Sequence, residues 1–209
     1  MKTYSYLALG DSYTIGEQVP LADSFPYQAV QLLRKADISR DNREHLFATA
    51  EIIAKTGWTT DELTKAIGQT IFLPNYDIVS LLVGVNDQYR GRPVAEFKTQ
   101  FELLLQMAIQ FAGGVEKNVY VLSIPDWGVT PFANDRDIKK IATEIDAYNE
   151  VCEITASSFK THFINITDEQ RKDAINPEYL AADGLHPSGQ EYKKWALRLA
   201  QLIWLNLAR

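Results

Sequence analysis

The chain has 209 residues, 46% hydrophobic and 23% charged, which suits one domain able to bury a sizeable core. Its 21 basic and 27 acidic side chains leave a net charge of −6, so the basic footprint of a sequence-independent nucleic-acid binder is missing. The single cysteine, Cys152, excludes an internal disulfide, and three histidines argue against a His-rich metal site; no metal or other cofactor is expected.

The first apolar run is only a few residues long and leads straight into Gly10-Asp11-Ser12, so it reads as a buried strand rather than a secretory leader. No segment approaches the roughly 18 apolar residues of a membrane span. The expectation is a cytoplasmic protein.

Tyr4–Leu9 predicts the first strand and Pro26–Ala36 a helix, with proline at a tolerated first-turn position. Leu46–Ala54 contains a second strand, and Thr60–Ile67 is a short helix capped by Thr59 or Thr60. Asp77–Val83 is the third strand. Val94–Ala112 is a helix with Phe97, Phe101, Leu104, Leu105, Ala108 and Ile109 along one stripe, ended by Gly113-Gly114. Asn118–Ser123 is the fourth strand, closed by Pro125. Asp137–Ser158 is a long helix with Ile138, Ile141, Ile145, Tyr148 and Cys152 inward. Thr161–Ile166 is a short fifth strand. Pro187–Ala208 is the final helix, with Tyr192, Trp195, Leu199, Leu202 and Ile203 inward.

Apolar strands separated by helices read as right-handed βαβ units. The chain is therefore an α/β fold, a single domain over residues 1–209 with about five parallel strands covered on both faces. In open sheets of this kind ligands bind beyond the carboxyl ends of the strands.

Those ends carry Gly10-Asp11-Ser12-Tyr13, Lys55-Thr56-Gly57-Trp58, Gly84-Val85-Asn86-Asp87 and Ile124-Pro125-Asp126-Trp127; Asp183-Gly184-Leu185-His186 precedes the last helix. A serine hydroxyl is a poor nucleophile unless a base removes its proton, and the base needs a third group to fix its tautomer. Ser12, His186 and Asp183 supply those three parts, the last two only three residues apart. The Ser12 amide, the Gly57 amide and the Asn86 side chain could stabilise an oxyanion; Gly57, without a Cβ, lets an oxygen approach its N–H.

Gly10-Asp11-Ser12, Gly57, Gly84-Val85-Asn86-Asp87 and Asp183-Gly184-Leu185-His186 resemble, in order and position, the four blocks of the SGNH hydrolases, also called the GDSL esterase/lipase family. Tyr13 stands where the family's common name has leucine. The resemblance implies a three-layer, flavodoxin-like α/β/α sandwich and a metal-independent serine hydrolase of esters or thioesters. It implies Ser12 as nucleophile, His186 as base, Asp183 as its orienting acid, and Ser12, Gly57 and Asn86 as oxyanion donors. The expected substrate is a small acyl ester, O-acetylated carbohydrate among the candidates. Lysophospholipase or acyl-thioesterase activity on the same site is the alternative, as is a catalytically silent carbohydrate- or lipid-binding module. Tyr13, Trp58, Tyr89 and Trp127 are candidate substrate-binding residues, and Phe132 also flanks the blocks.

Other residues have plainer readings. Asp11 braces the turn before Ser12, and Asp87 holds the loop after Asn86. His45, beside the charged run Arg40-Asp41-Asn42-Arg43-Glu44, reads as solvated, and His162 as structural. Arg90 and Arg92 read as solvated loop residues, with contact to a substrate anion as the alternative. Cys152 reads as an inert core residue, and Tyr192, Trp195 and Trp204 as core. Lys55-Thr56-Gly57-Trp58-Thr59 partly resembles the flavin-phosphate loop of flavodoxins, but it follows the second strand instead of the first.

Overall fold

The structure, a computed structural model, describes residues 2–38, 45–173 and 176–207. The chain runs through β1 (Lys2–Tyr4), β2 (Tyr6–Gly10) and the short α1 (Ser12–Ile15), then by α2 (Phe25–Ile38) to β3 (His45–Phe47) and β4 (Glu51–Ala54). It continues through α3 (Thr60–Ile67), β5 (Ile78–Leu82), α4 (Val85–Tyr89), α5 (Val94–Phe111) and β6 (Val119–Leu122). The last part is α6 (Ile138–Ser158), β7 (His162–Ile164), α7 (Thr167–Asp173) and α8 (Gly189–Leu207).

Five strands pair in parallel in the order β4-β2-β5-β6-β7. β2, β5 and β6 are buried at every position, as strands covered on both faces must be. α2 packs on α8, and α3, α5 and α6 pack in succession, which gives the two outer helical layers. β2 lies between β4 and β5, so the chain first moves outward to β4 and then returns to β5 on the other side. The loops leaving β2 and β5 diverge there and open a crevice at their carboxyl ends.

Some expectations need correction. The single strand expected at Tyr4–Leu9 is broken at Ser5, whose N–H and Oγ–H both turn to Asp77 Oδ2, at 3.0 and 3.1 Å. Its neighbour breaks at the same level. Tyr4 faces Phe47 in one ladder and Leu7 faces Glu51 in the next, so the β3–β4 side carries one extra residue, as in a bulge. The stripe on α6 begins a turn later than expected: Ile138 is 54% exposed, while Ile141, Ile145, Tyr148 and Cys152 are buried. Ile109 and Leu202 are half-buried at the margins of their stripes.

His45 is paired and packed instead of freely solvated. Its Nδ1 lies 2.8 Å from Asp37 Oδ1, and its ring packs among Tyr4, Phe47 and Trp204, which leave it half-buried. The charged run 40–44 beside it lies outside the described residues, as does Ala208 at the end of the last predicted helix. His162 stacks on Tyr120, with ring centroids 4.8 Å apart. Among the described residues no helix is long and apolar enough to cross a membrane.

Candidate active site

β2 ends at Gly10, where the chain passes so close to its neighbours that an added Cβ would lie 2.3 Å from Leu82 O and 2.1 Å from the Thr14 hydroxyl oxygen. Only glycine lets the strand turn directly into a helix there. Asp11 caps that helix, its Oδ1 accepting the Tyr13 N–H at 3.0 Å, the bracing role expected of it. Burial pushes the Asp11 carboxyl up to about 8 against the Tyr13 bond, and its Oδ2 has no hydrogen-bond partner among the described residues. Ser12 follows as the first residue of α1 and is 5% exposed.

His186 stands opposite, its Nε2 3.0 Å from Ser12 Oγ and its Nδ1 2.6 Å from Asp183 Oδ2. Asp183 Oδ1 also accepts the backbone N–H groups of Leu185 and His186, both at 3.0 Å. The loop is closed by Ala181 N–H donating to His186 O at 2.8 Å and Ser188 N–H to Tyr179 O at 2.9 Å. Partial burial works against ionisation of Asp183. The His186 ring and the two backbone N–H groups outweigh it and hold the carboxyl below the usual carboxylate range. Tyr13 lies with its ring centroid 5.4 Å from the imidazole and 6.2 Å from Trp195, so it supports His186 from the core side.

Lys55–Trp58 form a turn closed by Trp58 N–H donating to Lys55 O at 3.2 Å. Gly57, its third residue, has φ +84°, the sign a type II turn requires there and one that side-chain-bearing residues rarely adopt. The segment after β5 grips this turn. Asn86 Nδ2 donates to Trp58 O at 2.9 Å, which leaves its second amide hydrogen for the cavity it lines. Asp87, fully buried, accepts the Thr60 N–H at 3.0 Å and the Thr60 hydroxyl at 2.8 Å. Burial raises the Asp87 carboxyl, with Thr60 and Arg92 acting against it. Arg90 Nη2 donates to Gly57 O at 2.7 Å, and Arg92 Nη1 reaches Asp61 at 2.6 Å and Asp87 at 3.3 Å. Arg90 stays exposed at the surface, as expected, while bonding a protein carbonyl; Arg92, expected to be solvated, is drawn in against the buried Asp87.

A cavity of about 200 Å³ opens over Ser12, Gly57, Asn86 and His186. Tyr13, Tyr89, Trp127 and Phe132 wall it. Tyr89 and Phe132 pack edge-on to Trp127 with centroids 5.3 and 6.0 Å away, and Trp127 Nε1 donates to Gln88 Oε1 at 2.7 Å. Trp58 is set apart: its side chain packs on the core, and the cavity lining does not include it. Thr56, Val85 and Leu185 also line the cavity. They sit within the motif blocks, and their adjacency to Gly57, Asn86 and His186 was the available signal. Nothing in the sequence pointed to Gln88.

The profile of the GDSL-like lipase/acylhydrolase family matches residues 8–194. Among solved structures, the lipase/acylhydrolase from Enterococcus faecalis is 21% identical with a TM-score of 0.68, over 99% of this chain and 97% of that one. An acetylxylan esterase from Geobacillus stearothermophilus is 18% identical with a TM-score of 0.71, over 96% and 94%. A psychrotrophic esterase from Pseudoalteromonas sp. is 15% identical with a TM-score of 0.65, over 99% and 100%. Likeness at these identities speaks to the fold. No curated protein matches the sequence.

Proposed function

The chain belongs to the GDSL-like lipase/acylhydrolase family and is an ester hydrolase; we propose that Ser12, His186 and Asp183 carry its chemistry on short acyl esters of a polar carrier, O-acetylated carbohydrate among them. The observation that carries this reading is the unbroken series from Ser12 Oγ through both ring nitrogens of His186 to Asp183.

His186 Nε2 takes the Ser12 proton as Oγ attacks the ester carbonyl. The negative oxygen of the tetrahedral intermediate is met by the amides of Ser12 and Gly57 and by the free amide hydrogen of Asn86. The imidazolium, stabilised by the ionised Asp183, returns the proton to the leaving alkoxide, and the carrier departs as an alcohol. Water then attacks the acyl-enzyme with His186 again as base, which releases the carboxylic acid and restores Ser12.

The size of the cavity supports a short acyl group: about 200 Å³ falls below the roughly 300–1,000 Å³ of pockets that take drug-sized ligands. Tyr89 and Phe132, 48% and 45% exposed, offer a flat apolar rim to the carrier. A series of p-nitrophenyl esters and sugar acetates tests this. The expected result is a kcat/KM that peaks at acetate to butyrate and falls with longer chains; a preference for long acyl chains would overturn the substrate reading.

A further inference from the structure

We propose that Arg90 is a positioning residue for the oxyanion donors, fixing where Gly57 sits relative to Ser12; this rests on the serine-esterase reading above. Asn86 and Arg90 stand four positions apart on α4 and its C-terminal cap, so their side chains leave on the same side. They take two successive carbonyls of the neighbouring turn: Asn86 holds Trp58 O at 2.9 Å and Arg90 holds Gly57 O at 2.7 Å.

The grip extends along the chain. The other terminal nitrogen of Arg90 lies 3.3 Å from Glu62 Oε2, the oxygen that accepts the Thr59 N–H at 3.0 Å and the Thr59 hydroxyl at 2.9 Å. Asp87 holds Thr60, and Arg92 holds Asp61. Asn86, Asp87, Arg90 and Arg92 thus hold residues 57, 58, 60, 61 and 62. Two of the proposed oxyanion donors, Asn86 and Gly57, are registered against each other by this strip, and Arg90 spans both its Gly57 and Glu62 ends.

Gly57 is the weak point that needs such a hold. Glycine has the widest choice of backbone states, and only some of them aim its N–H into the cavity. An added Cβ would meet Arg90 Nη2 at 3.9 Å and nothing nearer, so the site around it is open. With Nη2 on Gly57 O and Nη1 on Glu62, the planar fork is used on protein groups, a geometry that a lysine cannot reproduce. Acylation and deacylation both pass through an oxyanion. A displaced Gly57 N–H therefore slows both steps and leaves KM in place.

Steady-state hydrolysis of p-nitrophenyl acetate by Arg90→Ala tests the assignment. The expected loss is about 10- to 100-fold in kcat and kcat/KM together, the size of effect a misplaced group of this kind produces. KM should stay close to the parental value, Arg90→Lys should lie between the two, and added ethylguanidinium should restore part of the Arg90→Ala loss. Parental turnover in Arg90→Ala overturns the proposal, as does a loss confined to KM or one that neither lysine nor ethylguanidinium recovers. If Arg90→Ala does not fold, Arg90→Lys decides alone: a lowered kcat at unchanged KM supports the role and parental kcat overturns it. Ser12→Ala, run alongside, separates the two readings. Hydrolysis surviving in Ser12→Ala overturns the serine mechanism itself, whereas an inert Ser12→Ala beside a fully active Arg90→Ala overturns only the role of Arg90.

Discussion

Asp183 holds His186 twice, by the ring through Oδ2 to Nδ1 at 2.6 Å and by the backbone through Oδ1 to the His186 N–H at 3.0 Å. Asp183→Asn separates the two functions. The amide oxygen can still accept the backbone N–H, but its NH₂ then faces Nδ1 and drives the proton to Nε2, where it blocks attack by Ser12. The expected outcome is a near-parental melting temperature with kcat lowered on the order of 10⁴-fold. Activity close to the parental level in a folded Asp183→Asn protein would show that the carboxylate does not set the tautomer.

Asp11 sets a pH dependence of stability. Its native carboxyl is raised by burial to about 8, whereas in the unfolded chain it titrates near 4. Between those values the native state binds the extra proton, so this group's contribution to stability falls as pH rises from about 4 to about 8. Asp11→Asn keeps an oxygen for the Tyr13 N–H and removes the titration. Its melting temperature, followed across that range, should decline less steeply than the parent's; identical slopes would contradict the assignment.

Gly57→Ala places a side chain at φ +84° in otherwise open space. The cost is conformational, about 1–3 kcal/mol for a residue with a Cβ in this region. If the turn relaxes to avoid it, the Gly57 N–H leaves the cavity and kcat falls by about 10²–10³. Chemical denaturation and kinetics on one preparation separate the cases. A destabilised variant with parental kcat has kept the strained turn and its N–H in place, whereas a variant of parental stability, its turn relaxed, that also kept parental kcat would remove Gly57 from the proposed oxyanion donors.

Phe132→Ala tests the rim. The ring is 45% exposed, so stability should change little while the surface offered to a carrier is lost. Aromatic contacts of this kind are worth about 0.5–1.5 kcal/mol, which gives up to roughly a tenfold rise in KM for a ring-bearing acetate such as a sugar ester. Methyl acetate, without a ring, should be hydrolysed with unchanged constants. An equal effect on both substrates would contradict a carrier-binding role.

The layered fold was legible because buried parallel strands announce themselves: Ile78–Leu82 and Val119–Leu122 are apolar runs flanked by glycine, proline or polar residues. Ser12 and Asn86 could be read from the rule that sites lie beyond strand ends, and His186 from its spacing to Asp183. What stayed hidden depends on partners outside the element that carries the residue. The break at Ser5 is set by Asp77, 72 positions away, and the pairing of His45 by Asp37 on another element. α7 is seven residues of Thr, Asp, Glu, Gln, Arg and Lys with no apolar stripe to reveal it. The grip of Arg90 on Gly57 O joins loops 33 positions apart, and a charged side chain in a polar loop reads as solvated until its partner is in view.

The most direct test of the account is the reaction of the folded chain with a fluorophosphonate, read by intact mass and peptide mapping. The hydrogen-bonded series from Ser12 to Asp183 predicts one phosphonyl adduct per chain, located on Ser12, absent from Ser12→Ala and formed far more slowly by His186→Ala. An adduct on any other residue, or none on a chain that hydrolyses p-nitrophenyl acetate, would contradict it.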